Sequence, residues 1–280
     1  MPIRRVEAHI PGSGGLSLFA RGWAPDAPER VVVLVHGFAE HTGRYERVAS
    51  WLADRGCAVH AFDLRGHGRS EGPRGHAASF QVLVDDVEVF VARVRSQHPG
   101  LPVFVLGHSM GGLLALGYTA QRSPAVSGVM TSGAALHLGE SPSRAEILAL
   151  RVLRPMLPRL RIRRPIAGDA LSRDPEVGRQ YAADPLVFQF MTLSLAWALY
   201  AGARQTLGAA PDVSLPVLLL HGGDDPLVLP TGSEAFHDEV GTPGSDLRIY
   251  AGLRHEILNE PEWETVAKDL QAWMQARELD

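Results

Sequence analysis

The run Gly107-His108-Ser109-Met110-Gly111 stands between an apolar stretch, Val103-Phe104-Val105-Leu106, and a helix-forming one, Leu113-Leu114-Ala115-Leu116. The order reads as strand, sharp turn and helix, with a serine at the apex. A serine hydroxyl is a weak nucleophile until a base activates it and a substrate can reach it. A tight strand-to-helix turn supplies the access: it strains the serine's backbone and lifts the hydroxyl clear of the sheet. Strand and helix backbones approach closely there, and Gly107, Gly111 and Gly112 provide the small residues that such an approach needs. The string GxSxG alone occurs by chance. Its position between strand and helix makes Ser109 a candidate nucleophile rather than part of a structural Gly-rich turn.

Three apolar runs read as buried parallel strands: Val31–Val35, Ala58–Phe62 and Val103–Leu106. Helices on both faces of a sheet remove the polar alternation, so such strands read as continuous hydrophobic runs. Met130-Thr131-Ser132 ends a fourth, and Val217–Leu220 and Leu247–Tyr250 supply two more before a closing helix over 262–276. Strands alternating with helical patterns imply an α/β fold with a doubly wound, mostly parallel sheet. Chemistry in such sheets gathers at the carboxyl ends of the strands. Residues 134–208 break the rhythm. They show no convincing strand, are rich in Pro, Arg and Leu, and offer helical pieces at 144–157, 175–182 and 188–202. We read 1–133 with 209–280 as the core and 134–208 as a helical cap inserted into it.

Composition narrows the function classes. With 45% apolar and 21% charged residues, the chain is that of a folded globular protein. A formal charge of −4 gives no reason to expect nucleic-acid binding. A single cysteine, Cys57, precludes an internal disulfide. The amino terminus carries charge with no apolar segment after it, so no secretory signal is visible. The apolar stretch from Met191 to Ala201 is too short to span a bilayer. These points lead us to expect a cytoplasmic protein. Lys268 is the only lysine, an arginine bias that we attribute to genomic base composition.

A serine nucleophile needs a base, and the base needs an orienting carboxylate. On folds of this kind they follow the serine in the order acid, then histidine. After the strand Val217–Leu220 comes His221-Gly222-Gly223-Asp224-Asp225, and after Leu247–Tyr250 comes Ala251-Gly252-Leu253-Arg254-His255-Glu256. His255, on a loop directly after a strand, can reach over the sheet edge, whereas His237 sits in a stretch that looks helical and solvated. Asp224 and Asp225 are adjacent, so their side chains diverge and only one can face the imidazole. The HGxxD spacing selects Asp225, leaving Asp224 to brace the turn. The oxyanion needs two preorganised N–H donors. Met110, directly after the nucleophile, supplies one. The loop His36-Gly37-Phe38 after the first apolar strand supplies the other, from Phe38.

These segments carry a family resemblance. The matching runs are His36-Gly37-Phe38-Ala39-Glu40-His41-Thr42-Gly43-Arg44-Tyr45, then Asp63-Leu64-Arg65-Gly66-His67-Gly68-Arg69-Ser70, then the serine turn, Asp184-Pro185-Leu186, the Asp225 loop and Arg254-His255-Glu256. In this order they resemble the monoacylglycerol lipase and lysophospholipase-type serine α/β-hydrolases. The resemblance implies hydrolysis of an ester of a single-chain lipid through an acyl-enzyme, with no metal and no organic cofactor. It also implies that Glu40, His41, Arg44 and Tyr45 organise the oxyanion loop, unless they only begin a capped helix. Asp63 and Arg65 are then scaffold, with Arg65 bridging acidic neighbours. A broad-specificity carboxylesterase or lysophospholipase is the alternative. From another class, a ligand-binding receptor could retain such a pocket.

The cap matches least well. Between Arg151 and Arg164, six arginines interleave with apolar residues. We expect this stretch to pack on the core with its arginines solvated. The alternative is that its apolar face lies on an anionic lipid surface, in transient membrane contact. A second cluster, Leu186 to Trp197, is apolar on too many faces for a solvent-exposed helix. From it, Leu186, Phe188, Met191 and Leu195 are the expected lining of an acyl tunnel that admits one chain.

Overall fold

A computed structural model describes residues 3–277. The chain opens with a hairpin, β1 (Arg4–Pro11) and β2 (Ser17–Ala24), and continues through β3 (Arg30–Val35), α1 (Glu46–Ala53), β4 (Cys57–Phe62), α2 (Phe80–Gln97), β5 (Val103–His108), α3 (Met110–Arg122) and β6 (Gly128–Ser132). There it leaves the sheet for α4 (Arg144–Leu153), β7 (Arg161–Arg163), α5 (Gly168–Leu171), α6 (Pro175–Ala183), β8 (Phe190–Thr192) and α7 (Leu193–Gly208). It returns with β9 (Val217–Gly222), α8 (Pro230–Glu239), β10 (Asp246–Tyr250) and α9 (Trp263–Gln275). The strands align as β1-β2-β4-β3-β5-β6-β9-β10, parallel from β4 to β10. The chain has the α/β-hydrolase fold.

The continuous apolar runs are explained by two cores. Val31, Val33 and Val35 of β3 face a cluster with Leu83 and Val87 of α2, Leu113 of α3 and Phe236 of α8. Val32 and Leu34 face the opposite cluster, with Trp51 and Leu52 of α1 and Leu270 and Trp273 of α9. Successive strand residues point to opposite faces, and both faces are dry.

The structure differs from the sequence expectations at one edge of the sheet and in the segment 134–208. The hairpin β1–β2 extends the sheet antiparallel onto β4. Seven of the eight residues of β1 are exposed, so it lacks the hydrophobic run by which a central strand is recognised. The segment 134–208 contains two strands after all: β7 and β8 pair antiparallel from Arg161↔Thr192 to Arg163↔Phe190. Three residues are too few for a period to register. The expected helix over 188–202 begins instead at Leu193, where Thr192 accepts the N–H of Leu195 (3.3 Å), and runs on to Gly208. The helix expected over 144–157 stops at Leu153, because Pro155 has no N–H to donate to the carbonyl of Arg151.

One expectation for the cap fails outright. The arginine-rich stretch does not pack on the core. No residue of α4 is buried, and Leu148 is 61% exposed and Met156 77%. By contrast α7 is sunk onto the sheet's helical layer, with Leu195 and Ala198 in the core. Among the described residues no helix is long and apolar enough to cross a membrane.

Candidate active site

Ser109 caps α3 at φ 52°, ψ −116°, a strained conformation for a residue with a side chain. The elbow is locked on both sides: Ser109 N–H donates to Ser132 O (2.9 Å), and Ala135 N–H donates to Ser109 O (3.0 Å). Gly111 permits it. A Cβ there would overlap the carbonyl oxygens of Val35 and His36. The residues around Ser109 are buried, but Ser109 itself is only partly so.

The loop after β10 brings His255 over this elbow. Its ring centroid lies 4.8 Å from that of His108, the residue before the serine. Nδ1 of His255 donates to Asp225 Oδ2 (2.7 Å). Asp225 is buried, and its other oxygen accepts the N–H groups of Leu227 (2.9 Å) and Val228 (3.0 Å). Asp224 is exposed and, among the described residues, engages only through its backbone, donating to Leu253 O (2.9 Å). The adjacent carboxylates do diverge, and the one chosen by spacing faces the imidazole.

The electrostatics suit a base. Burial opposes a charge on His255, but Asp225, followed by Glu256 and Glu40, outweighs it and raises the imidazole above its ordinary 6.5. Burial likewise opposes ionisation of Asp225, yet His255 and the hydrogen bonds from His221, His255 and Val228 hold its carboxyl well below the usual range. His108 behaves oppositely: burial, then the neighbouring His255, lowers it to about 4, so it stays neutral.

Phe38 and Met110, the expected oxyanion donors, flank the serine. Met110 opens α3, and the first N–H groups of a helix have no carbonyl within the helix to bond. The loop that carries Phe38 abuts the elbow: a Cβ on Gly37 would lie 3.2 Å from that of Ser109. Its shape is held by Glu40, whose Oε1 accepts Gly37 N–H (2.5 Å) and Tyr45 O–H (2.6 Å). Ala39 takes φ 62° there, which an alanine adopts only when its surroundings impose it.

The four expected pocket residues separate. Phe188 stands edge-on to Phe38, with centroids 5.6 Å apart and planes at 90°, and also packs against His67 (5.0 Å). Met191 is half-buried against the core, and Leu195 is within it. Leu186 is half-buried on the turn after α6, donating its N–H to Asp184 Oδ1 (2.8 Å). Of the two scaffold residues, Asp63 ties loops together, whereas Arg65 holds a single acid, Asp86, and the backbone carbonyl of Ser13 rather than bridging several acids. Asp63 accepts from Thr42 N–H (2.8 Å) and Arg69 N–H (2.8 Å), and Arg65 Nε grips Asp86 (2.5 Å).

Three contributors carried no role in the sequence. His221 places Nε2 3.3 Å from Asp225 Oδ2, bracing the acid from behind. His108 anchors the elbow by donating from Nδ1 to Ser132 O (2.9 Å). Glu256 is bound by Arg44. The adjacency of an acid to His255 was the available signal, but its partner lies 212 positions away. A separate cleft of about 490 Å³ at the amino-terminal end of β5, lined by Arg95, His98, Pro102 and Ser127 among others, has no carboxylate among the described residues of its wall to orient His98.

Residues 26–262 match the family described as serine aminopeptidase, S33 (Hydrolase_4). The chain is 37% identical over 272 residues to a monoacylglycerol lipase of Mycolicibacterium smegmatis, covering 96% of this chain and 97% of that one. The chain belongs to this family, as an ester hydrolase of the monoacylglycerol lipase type. It is also 34% identical to the human monoglyceride lipase over 274 residues, 96% of this chain and 90% of the relative. Among solved structures, a Paleococcus ferrophilus monoacylglycerol lipase superposes with a TM-score of 0.83 at 30% identity, covering 99% of this chain and all of the other.

Proposed function

We propose that this monoacylglycerol lipase-type hydrolase cleaves the carboxylic ester of single-chain lipids, monoacylglycerol first among them, through an acyl-enzyme on Ser109. The observation that carries the reading is the buried 2.7 Å pair of His255 and Asp225 over a strained elbow serine. In this scheme His255 removes the proton of Ser109 as its oxygen attacks the ester carbonyl. Asp225 holds the imidazole in the tautomer whose Nε2 is the free acceptor and stabilises the imidazolium that forms. The N–H groups of Phe38 and Met110 receive the oxyanion, where preorganised donors act most strongly. The intermediate collapses, and His255 returns its proton to the departing glycerol oxygen. Water then repeats the sequence on the acyl-enzyme. No step calls on a metal or an organic cofactor.

In this reading residues 134–208 form the cap, and Phe188, Leu186, Met191 and the wall that includes Leu195 receive the acyl chain. Each methylene taken from water contributes about 0.8 kcal/mol, so a short lining is enough to prefer longer chains. The outer part of the cap meets the lipid surface. Val152, Leu153, Met156, Leu157 and Leu160 are all at least 40% exposed, and the arginines among them complement anionic headgroups. The test is a substrate panel of monoolein, lysophosphatidylcholine, triolein and a peptide amide, with Ser109→Ala as blank. Fastest turnover is expected on monoolein. Equal rates on triolein, or faster cleavage of the amide, would overturn the reading.

A further inference from the structure

Arg44, in the turn that leads into α1, joins two loops of the site. Its Nη1 donates to Glu40 Oε2 (2.9 Å) and to Glu256 Oε1 (2.6 Å), and its Nη2 to Glu256 Oε2 (2.9 Å). Glu40 belongs to the oxyanion loop and holds the N–H of Gly37. Glu256 directly follows His255, and Asn259 Nδ2 donates to its second oxygen (2.8 Å). The ring of Tyr181, from α6, closes over the guanidinium at 4.9 Å. Both carboxylates are almost fully buried, and the arginine side chain is 11% exposed.

The charges do not cancel. Two carboxylates against one guanidinium leave a single net negative charge beside the base. A cavity of about 10 Å³ lies among Glu40, Tyr45, His108, Glu256, Leu258 and Asn259, at the lower limit of space for one water. With so little solvent between them, the buried charges are felt strongly. Burial would push the Glu40 carboxyl up, but Arg44, ahead of the nearby histidines, holds it ionised. Burial would in turn discharge Arg44, and Glu256 and Glu40 hold it protonated.

His255 must be neutral to take a proton from Ser109 and charged immediately afterwards. The groups that face it are Asp225 from the loop after β9, Glu256 on its own loop, Glu40 from the oxyanion loop and the neutral His108 from the elbow. All three carboxylates favour the imidazolium. Arg44 is the cation set against two of them. Without it, at a pH where both carboxylates are still ionised, the adjacent pair would carry two uncompensated charges, and His255 would hold its proton at a pH where it has to accept one.

We propose that Arg44 is a positioning residue for this reaction: by gripping Glu40 and Glu256 together it keeps the oxyanion loop in register with the base loop and limits the negative charge beside His255. The inference rests on His255 being the base. It is tested by kcat and KM against pH on a soluble short-chain p-nitrophenyl ester, for the wild type, R44Q, R44K, E256Q and H255A. R44Q is expected to lower kcat by about 10- to 100-fold, as small misplacements of catalytic groups do, with KM nearly unchanged. Its acid limb moves to higher pH by about half a unit to one unit, because a cation near the base has gone. R44K restores the limb but only part of kcat, since a lysine carries the charge without the two-pronged grip. E256Q moves the limb to lower pH. An R44Q limb that coincides with that of the wild type, or full recovery of kcat in R44K, overturns the proposal. If R44Q does not fold, E256Q decides alone, and an unmoved limb overturns it. Failure of the underlying reading looks different: H255A would then retain turnover.

Discussion

The outer arm of the segment between β6 and β9 and the three loops that meet at Ser109 are built in opposite ways. In the arm, α4 and the chain through β7 bury almost nothing, and the described polar contacts of α4 are largely its own capping box, Ser143 with Glu146. In the loops nearly every polar group is committed. Glu40 accepts from Gly37 and Tyr45, Asp225 from Leu227, Val228 and His255, and Glu256 from Arg44 and Asn259. The inner part of the same segment sides with the loops. Glu256 N–H donates to Leu171 O (2.8 Å), and Ser172 Oγ donates to Asn259 O (3.1 Å), so α5 is stapled to the base loop. The difference teaches where substitutions should register. In the loops they should alter chemistry, and in the outer arm they should alter only how a substrate is delivered.

The most severe break of this contrast is Ser109→Ala, expected to lower kcat by about four to six orders of magnitude while leaving the thermal transition in place. Rapid ester turnover by that variant would remove Ser109 from its proposed role. Next come the adjacent acids. Asp225→Asn should cost about 10⁴-fold in kcat, because an amide leaves the imidazole in the wrong tautomer. Asp224→Asn, on the exposed side, should change kcat less than about threefold, as surface substitutions do. Comparable losses in the two would sink the assignment.

Gly111→Ala should destabilise by about 3 kcal/mol, read from urea midpoints, since the added methyl would meet two buried carbonyls. The pH profile is a gentler probe. His255 is raised above 6.5 and must be neutral to act, so kcat/KM should fall about tenfold per pH unit below a midpoint lying above 6.5. A midpoint below 6.5 would mean that Asp225 and its neighbours do not govern the base. The smallest effect on chemistry belongs to the arm. Met156→Asp with Leu157→Asp should leave turnover of a soluble ester within about twofold, as exposed positions permit, while reducing flotation with phosphatidylglycerol vesicles. Unchanged flotation would separate the arm from lipid contact.

The parallel strands were legible because burial on both faces writes itself as an unbroken apolar run, as in Val31–Val35 and Val103–Leu106. The elbow was legible because its glycines are needed within a few residues of the serine. The hairpin β1–β2 was not: an exposed edge strand such as Arg4–Pro11 is under no pressure to be apolar. Nor was the β7–β8 pair, whose three-residue strands are specified by partners some 30 positions away. In the site, Ser109, Asp225 and His255 could be picked out because each follows a recognisable strand. The roles of His108, His221 and Glu256 could not, since no local pattern reveals which buried polar groups will meet.

The sequence by itself determined the strand-turn-helix serine, the order of the candidate nucleophile, acid and base, and the sheet that presents them, because those depend on local backbone geometry and on strand burial. Only the tertiary structure decided that His221 braces Asp225 from behind, that Arg44 bridges two distant loops, and that the arginine-rich arm stands free of the core. Those outcomes depend on which side chains are brought within a few ångströms across the fold, and on what is left to cover a helix once the core is full.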